Sequence, residues 1–99
     1  MIYHILTEEA WAAARAAGVY HPASLDSEGF IHASKLEQVA GSLDNYFKGV
    51  PHLLLLHIDE RRLKARLVWE NTVGGSIDFP HIYGPLNLDA VVEVRPARP

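Results

Sequence analysis

Six side chains in this 99-residue chain are candidates for chemistry, three of its six histidines among them: His4, His32, Ser34, Glu70, His81 and Tyr83. Imidazole gives or takes a proton near neutrality and ligates metals. His4, His32 and Glu70 each interrupt a stretch that otherwise reads as an apolar strand. A polar group placed there has a partner or a task, because burying it unpaired costs free energy. The plainer alternatives are satisfied structural histidines and a Glu70 paired with an arginine. Ser34 has its own plain reading as a helix cap. The segment Phe79-Pro-His81-Ile-Tyr83-Gly-Pro85 reads as a rigid turn, fixed by two prolines and a glycine, that presents His81 and Tyr83. Its alternative is a structural crossover with aromatic anchors.

Metal chemistry has less support. There is no Cys, no His-x-His and no His-x-x-x-His pair, so only a three-dimensional set of His4, His32 and His81 offers ligands. No metal is expected. Phosphate-cradling glycine loops and a nucleophile elbow around Ser24 or Ser27 are also missing from the sequence.

These residues need elements to hold them. Ile2 to Leu6 predicts a first strand, with Ile2, His4 and Leu6 on one face. Thr7 predicts a cap for an alanine-rich helix through Ala17, with Glu8 and Glu9 in its first turn and Gly18 as its stop. Val19 to Glu28 reads as loop. Gly29 to Ala33 predicts a second strand, with Phe30, His32 and Ser34 on one face. Ser34 and Glu37 read as a capping box. The helix that follows runs to about Lys48, with Leu36, Val39, Ala40, Leu43, Tyr46 and Phe47 on its buried stripe. Leu53 to Ile58 predicts a buried central strand. Arg66 to Glu70 predicts another, with Arg66, Val68 and Glu70 on one face. Asn71 to Asp78, around Gly74 and Gly75, reads as a hairpin or loop, and Asp89 to Val94 as the last strand. The order β-α-β-α-β-β-β predicts one α+β domain over residues 1–99, a mixed sheet carrying two main helices.

Composition excludes whole classes. The chain is 48% hydrophobic and 21% charged, as ordinary globular domains are, so it is no disordered tail. No apolar run approaches the ~20 residues of a membrane span. Nine basic against twelve acidic residues give a net charge of −3, which offers nucleic acid and anionic membranes no general attraction. The start, Met1-Ile-Tyr-His4, has no basic stretch leading an apolar one, so a cytoplasmic protein is expected.

Two resemblances rest on particular residues. Tyr3-His4-Ile, Trp11, Gly29-Phe-Ile-His32-Ala-Ser34, Gln38-Val39, Trp69-Glu70 and Phe79-Pro-His-Ile-Tyr-Gly-Pro-Leu86 resemble the small bacterial domain-of-unknown-function family numbered 952. That likeness covers nearly the whole chain and implies no reaction. Tyr3-His4-Ile-Leu-Thr7 and His32-Ala-Ser34 resemble, in order and position, elements of the ADP-ribosyltransferase fold, in its RNA 2′-phosphotransferase and toxin-like branches.

The second resemblance implies an ADP-ribosyltransferase-like fold with NAD as substrate. By it, His4 contacts the nucleotide ribose, while His32 and Ser34 border the nicotinamide pocket and Tyr83 stacks on the ring. Glu70 holds a ribose hydroxyl and favours the positive charge that builds as the glycosidic bond breaks. His81 serves as acid or base. Ile5 stands where that family has glycine, a departure at the close approach of backbone to ligand. The functional expectation is therefore a nucleotide-handling transferase. The alternatives are a non-catalytic module binding a small ligand or partner on the same fold, and a histidine-based metalloenzyme.

Overall fold

The structure, a computed structural model, describes residues 1–71 and 77–98. The turn expected around Gly74 and Gly75 therefore falls, over 72–76, outside the described residues. The described residues form eight strands: β1 (Ile2–Thr7), β2 (Val19–Tyr20), β3 (Ile31–His32), β4 (Leu53–Ile58), β5 (Arg66–Glu70), β6 (Phe79–Tyr83), β7 (Leu86–Asn87) and β8 (Val91–Pro96). The helices are α1 (Glu8–Ala17), α2 (Ala23–Ser27) and α3 (Val39–Tyr46). The α+β class and the two main helices, α1 and α3, are as expected. The strands divide among three sheets, β1-β4-β8, β2-β7 and β3-β6-β5, and every pairing among the described residues is antiparallel.

Helix α1 starts where local chemistry dictates. Thr7 Oγ1 accepts from the Ala10 N–H at 3.1 Å, and Gly18 ends the helix with φ +81°, a left-handed turn that glycine adopts without strain. The second helical region departs from its expected start. Ser34 does not cap it. A 3-10 turn over Leu36–Gln38 comes first, and Gln38 Oε1 accepts from the Lys35 N–H at 2.9 Å. The box is thus shifted one residue on, because Ser34 is taken up by pairing with Tyr3. Leu36, in that turn, falls off the buried stripe and is exposed, as is Tyr46.

The sheet β1-β4-β8 lies between two cores. Ile2, Leu6, Leu56 and Ile58 face α1 and join Ala14, Tyr20, Ile31, Ile82 and Leu86. Ile5, Leu53 and Leu55 face the other way and pack with Val39, Leu43 and Phe47 around α3. That two-sided burial is why Leu53 to Leu56 carries no polar residue.

The segment expected as a rigid turn is instead strand β6, the centre of its sheet. Proline in a central strand removes a ladder donor. Here Pro80 sits opposite Ala33, at the end of β3, and only its carbonyl is used, accepting from the Ala33 N–H at 3.1 Å. His81 is accordingly a buried strand residue rather than a loop residue.

Two glycines predict opposite outcomes. At Gly84, φ is +156° and an added Cβ would stand 2.9 Å from Ala65 Cβ. Gly84→Ala is expected to lower stability by about 1–3 kcal/mol. At Gly41 in α3 an added Cβ meets nothing within 4 Å. Gly41→Ala is expected to raise stability by about 0.5–1 kcal/mol. Urea unfolding of the two variants checks both signs.

Candidate functional site

Among the described residues, one backbone bridge links the two larger sheets. Tyr3 on β1 and Ser34 just past β3 exchange both backbone hydrogen bonds, each 2.8 Å. Beyond that pair the strands part, and a cleft of about 620 Å³ opens between them. Its lining comes from both faces of β1, with His4 and Leu6 on one and Tyr3 and Ile5 on the other. The outer edge of β1 therefore runs through the cleft.

Antiparallel pairing alternates, so the edge each peptide faces follows from one observed pair. Tyr3 bonds outward to Ser34, so Ile5, two residues on, also turns its N–H and C=O away from β4. No strand pairs with that edge at Ile5 among the described residues. The Ile5 side chain is buried with Val39, Leu53 and Leu55. Ile5 thus directs its bulk into the core and leaves its peptide edge on the cleft.

His4 has both ring nitrogens engaged. Its Nδ1 lies 2.5 Å from the His32 carbonyl, and its Nε2 lies 2.8 Å from the Tyr20 hydroxyl. A carbonyl only accepts, so Nδ1 carries the proton and Nε2 accepts from Tyr20. Burial pushes the His4 pKa down to about 4 and the Tyr20 pKa up to about 12, so both are neutral at pH 7. A ribose would have to displace Tyr20 to reach Nε2.

His32, Ser34 and His81 reach the same cleft. The Ser34 hydroxyl, freed from capping, lies 3.3 Å from the Ser42 hydroxyl. His32 Nε2 meets Glu28 Oε2 at 3.0 Å. His81 stacks on Phe30, centroids 4.1 Å apart, and is edge-on to His32 at 5.3 Å. Burial, then the neighbouring His32, hold its pKa below the ordinary value, and Glu70 opposes them. His81 Nδ1 has no hydrogen-bond partner and points to Glu70 Oε1 at 3.7 Å.

Glu70 and Tyr83 do not line the cleft. They share the His81 face of the β3-β6-β5 sheet and stand behind it. The Tyr83 hydroxyl donates to the Glu70 carboxylate, 2.6 Å to Oε2, and that bond holds the tyrosine pKa up. The sequence reading thus brings four of its six residues to one cleft and sets two in a second layer. Tyr20, Glu28 and Ser42 were not foreseen in the site. Glu28 had a signal in its spacing four residues before His32, and Tyr20 in being an aromatic residue beside a polar loop.

Electrostatically the cleft is quiet. Glu28 is the one formal charge among its lining residues, and no lysine or arginine lines it. Among the described residues no three histidine or carboxylate groups are placed to hold a metal ion, and no helix is long and apolar enough to cross a membrane.

DUF952, a family of proteins of unknown function, matches residues 5–94. The crystal structure of protein CC0527 from Caulobacter crescentus is 36% identical, with a TM-score of 0.86 over 96% of this chain and 83% of that one. A double mutant of that protein gives 35% identity and a TM-score of 0.85 over the same shares. Its solution NMR structure gives 36% identity and a TM-score of 0.82 over 96% and 82%. No curated protein matches the chain.

The His4 environment sets a pH dependence. Its folded pKa of about 4 lies below the ordinary 6.5, so between those values the unfolded chain binds more protons. Stability is complete above about pH 6.5 and falls as pH drops towards 4, by up to about 3 kcal/mol. His81, also depressed, acts in the same direction. In urea unfolding from pH 7 to 4, His4→Asn is expected to flatten this loss.

Proposed function

This chain belongs to the DUF952 family, and from that premise we propose that its cleft binds NAD or a related nucleotide by the nicotinamide end, on an ADP-ribosyltransferase-like plan. The observation that carries the reading is the peptide edge of Ile5, with which no strand among the described residues pairs, on the cleft that Ser34 also lines. A primary carboxamide needs that set: the Ile5 N–H donates to its oxygen, and the Ile5 carbonyl accepts from its NH2. Ser34 donates a second hydrogen bond to the same oxygen. Such a site discriminates by leaving its own polar groups unpaired when the amide is missing.

The rest of the cleft fits a neutral ring with a sugar attached. His32 and His81 offer flat surfaces beside it, and His81 Nε2 is the nitrogen left to meet a ligand once Nδ1 faces Glu70. With no lysine or arginine in the lining, the diphosphate stays in solvent at the mouth. Cleavage would break the bond between ribose C1′ and the nicotinamide nitrogen, with both electrons leaving on nicotinamide. Positive charge then spreads over C1′ and the ring oxygen. An acceptor hydroxyl or water adds at C1′ and gives its proton to His81 Nε2. Glu70, behind His81, favours the resulting imidazolium, so its contribution is made through the histidine.

A non-catalytic binding module is the second reading. It is favoured by the Tyr83 bond that holds Glu70 off the cleft and by the two partners that occupy His4.

Calorimetry with nicotinamide and NAD tests the site. Both are expected to bind, to compete with one another, and to show little salt dependence, since no cation holds the diphosphate. Ser34→Ala is expected to weaken both about fivefold to tenfold, one lost hydrogen bond. If neither ligand binds at millimolar concentration, the reading fails. Nicotinamide release from NAD, lost in Glu70→Gln with binding retained, would establish the transferase reading. Binding without release would establish the module.

A further inference from the structure

The parting of β1 from β3 needs a cause, because the pair Tyr3–Ser34 is in register to continue. In an antiparallel ladder the next bonded pair after Tyr3–Ser34 is Ile5–His32. The His32 peptide is turned the right way for it. Ala33 donates to Pro80 on β6, so His32, the residue before, directs its carbonyl away from β6 and towards β1. That carbonyl is the acceptor the Ile5 N–H would use. It is occupied instead by His4 Nδ1, at 2.5 Å.

We infer that His4 is a strand-parting residue: its imidazole takes the ladder acceptor of His32, stops β1 and β3 from pairing beyond Tyr3–Ser34, and so keeps the Ile5 peptide free in the cleft. Tyr20 completes the device. Its hydroxyl donates to Nε2 and so fixes the tautomer in which Nδ1 carries the proton. An apolar residue at position 4 would leave the His32 carbonyl without a donor, and the Ile5 N–H is the nearest replacement along the ladder. His4 is then a positioning residue, acting through the peptide edge it uncovers. The inference concerns how the cleft is held open, and it stands or falls apart from the ligand proposed above.

Amide hydrogen exchange on the full chain reads the ladder directly. In the wild type, the Ile5 amide is expected to exchange much faster than those of His4 and Leu6, which point to β4. In His4→Val the Ile5 amide is expected to slow by on the order of tenfold or more relative to Leu6, as the pair with His32 forms. In His4→Asn, whose amide nitrogen reaches the position of Nδ1, it is expected to stay fast. A wild-type Ile5 amide as protected as Leu6 would overturn the inference. So would a folded His4→Val chain whose Ile5 exchange is unchanged. The wild type alone supplies a second test should His4→Val not fold. Nitrogen-15 spectra of the His4 ring are expected to show Nδ1 protonated and Nε2 bare at pH 7, and the opposite tautomer would overturn the device.

Discussion

One backbone bridge links the two larger sheets among the described residues, and the cleft depends on its remaining one. Tyr3 and Ser34 exchange two backbone hydrogen bonds. With none, β1 and β3 would be held together by side chains alone, through the shared core and the bond from His4 to His32. With a second pair, the Ile5 edge would close and the cleft would shrink to the packing between ladders. The same pair also sets where Ser34 points. A serine that caps a helix spends its hydroxyl on the helix, whereas one held by its backbone keeps the hydroxyl for the cleft. The cap then passes to Lys35 and Gln38, and Gln38 Nε2 further donates to the Asp78 carbonyl, tying the 3-10 turn to the entry of β6.

Much of this was legible in the sequence where the determinants are local. Thr7, the alanines and Gly18 define α1 within one stretch of chain, so cap and stop came out as read. Strand alternation placed His4 and His32 on usable faces, because period two needs no knowledge of the neighbours. The failures share a physical source. Ser34 looked like a cap until a partner 31 residues away claimed its backbone. Pro80 read as part of a rigid turn until it proved to sit opposite Ala33 at the end of β3, where only its carbonyl is bonded to β3. Tyr20 lay in an apparent loop, and only the pairing of β2 with β7 carries it to His4. Each was decided by a contact distant in sequence, which local propensity does not encode.

The residues that sequence resemblance grouped as one site form two layers. His4, His32, Ser34 and His81 meet the cleft, while Glu70 and Tyr83 back His81 from the same sheet face. Such layering has a consequence for how charge is managed. A second carboxylate on the cleft would add to the charge that Glu28 already brings to it. Set behind an imidazole, it biases the proton on that ring without meeting the ligand. The aromatic packing of Phe30 on His81 fixes the ring plane, and within that plane Nδ1 is the nitrogen turned to Glu70.

The sheet β1-β4-β8 has a mechanical character as well. Both outer strands run antiparallel to β4, with Ile2 opposite Ile58 at one end and Pro96 opposite Leu54 at the other. The two ends of the chain therefore leave the sheet in opposite directions along the strand axis. A pull applied to both termini loads the hydrogen bonds of the two ladders together, in shear, instead of opening them one at a time. The pairs that bury Leu55 and Leu56 thus also share the load of a pull along the strand axis.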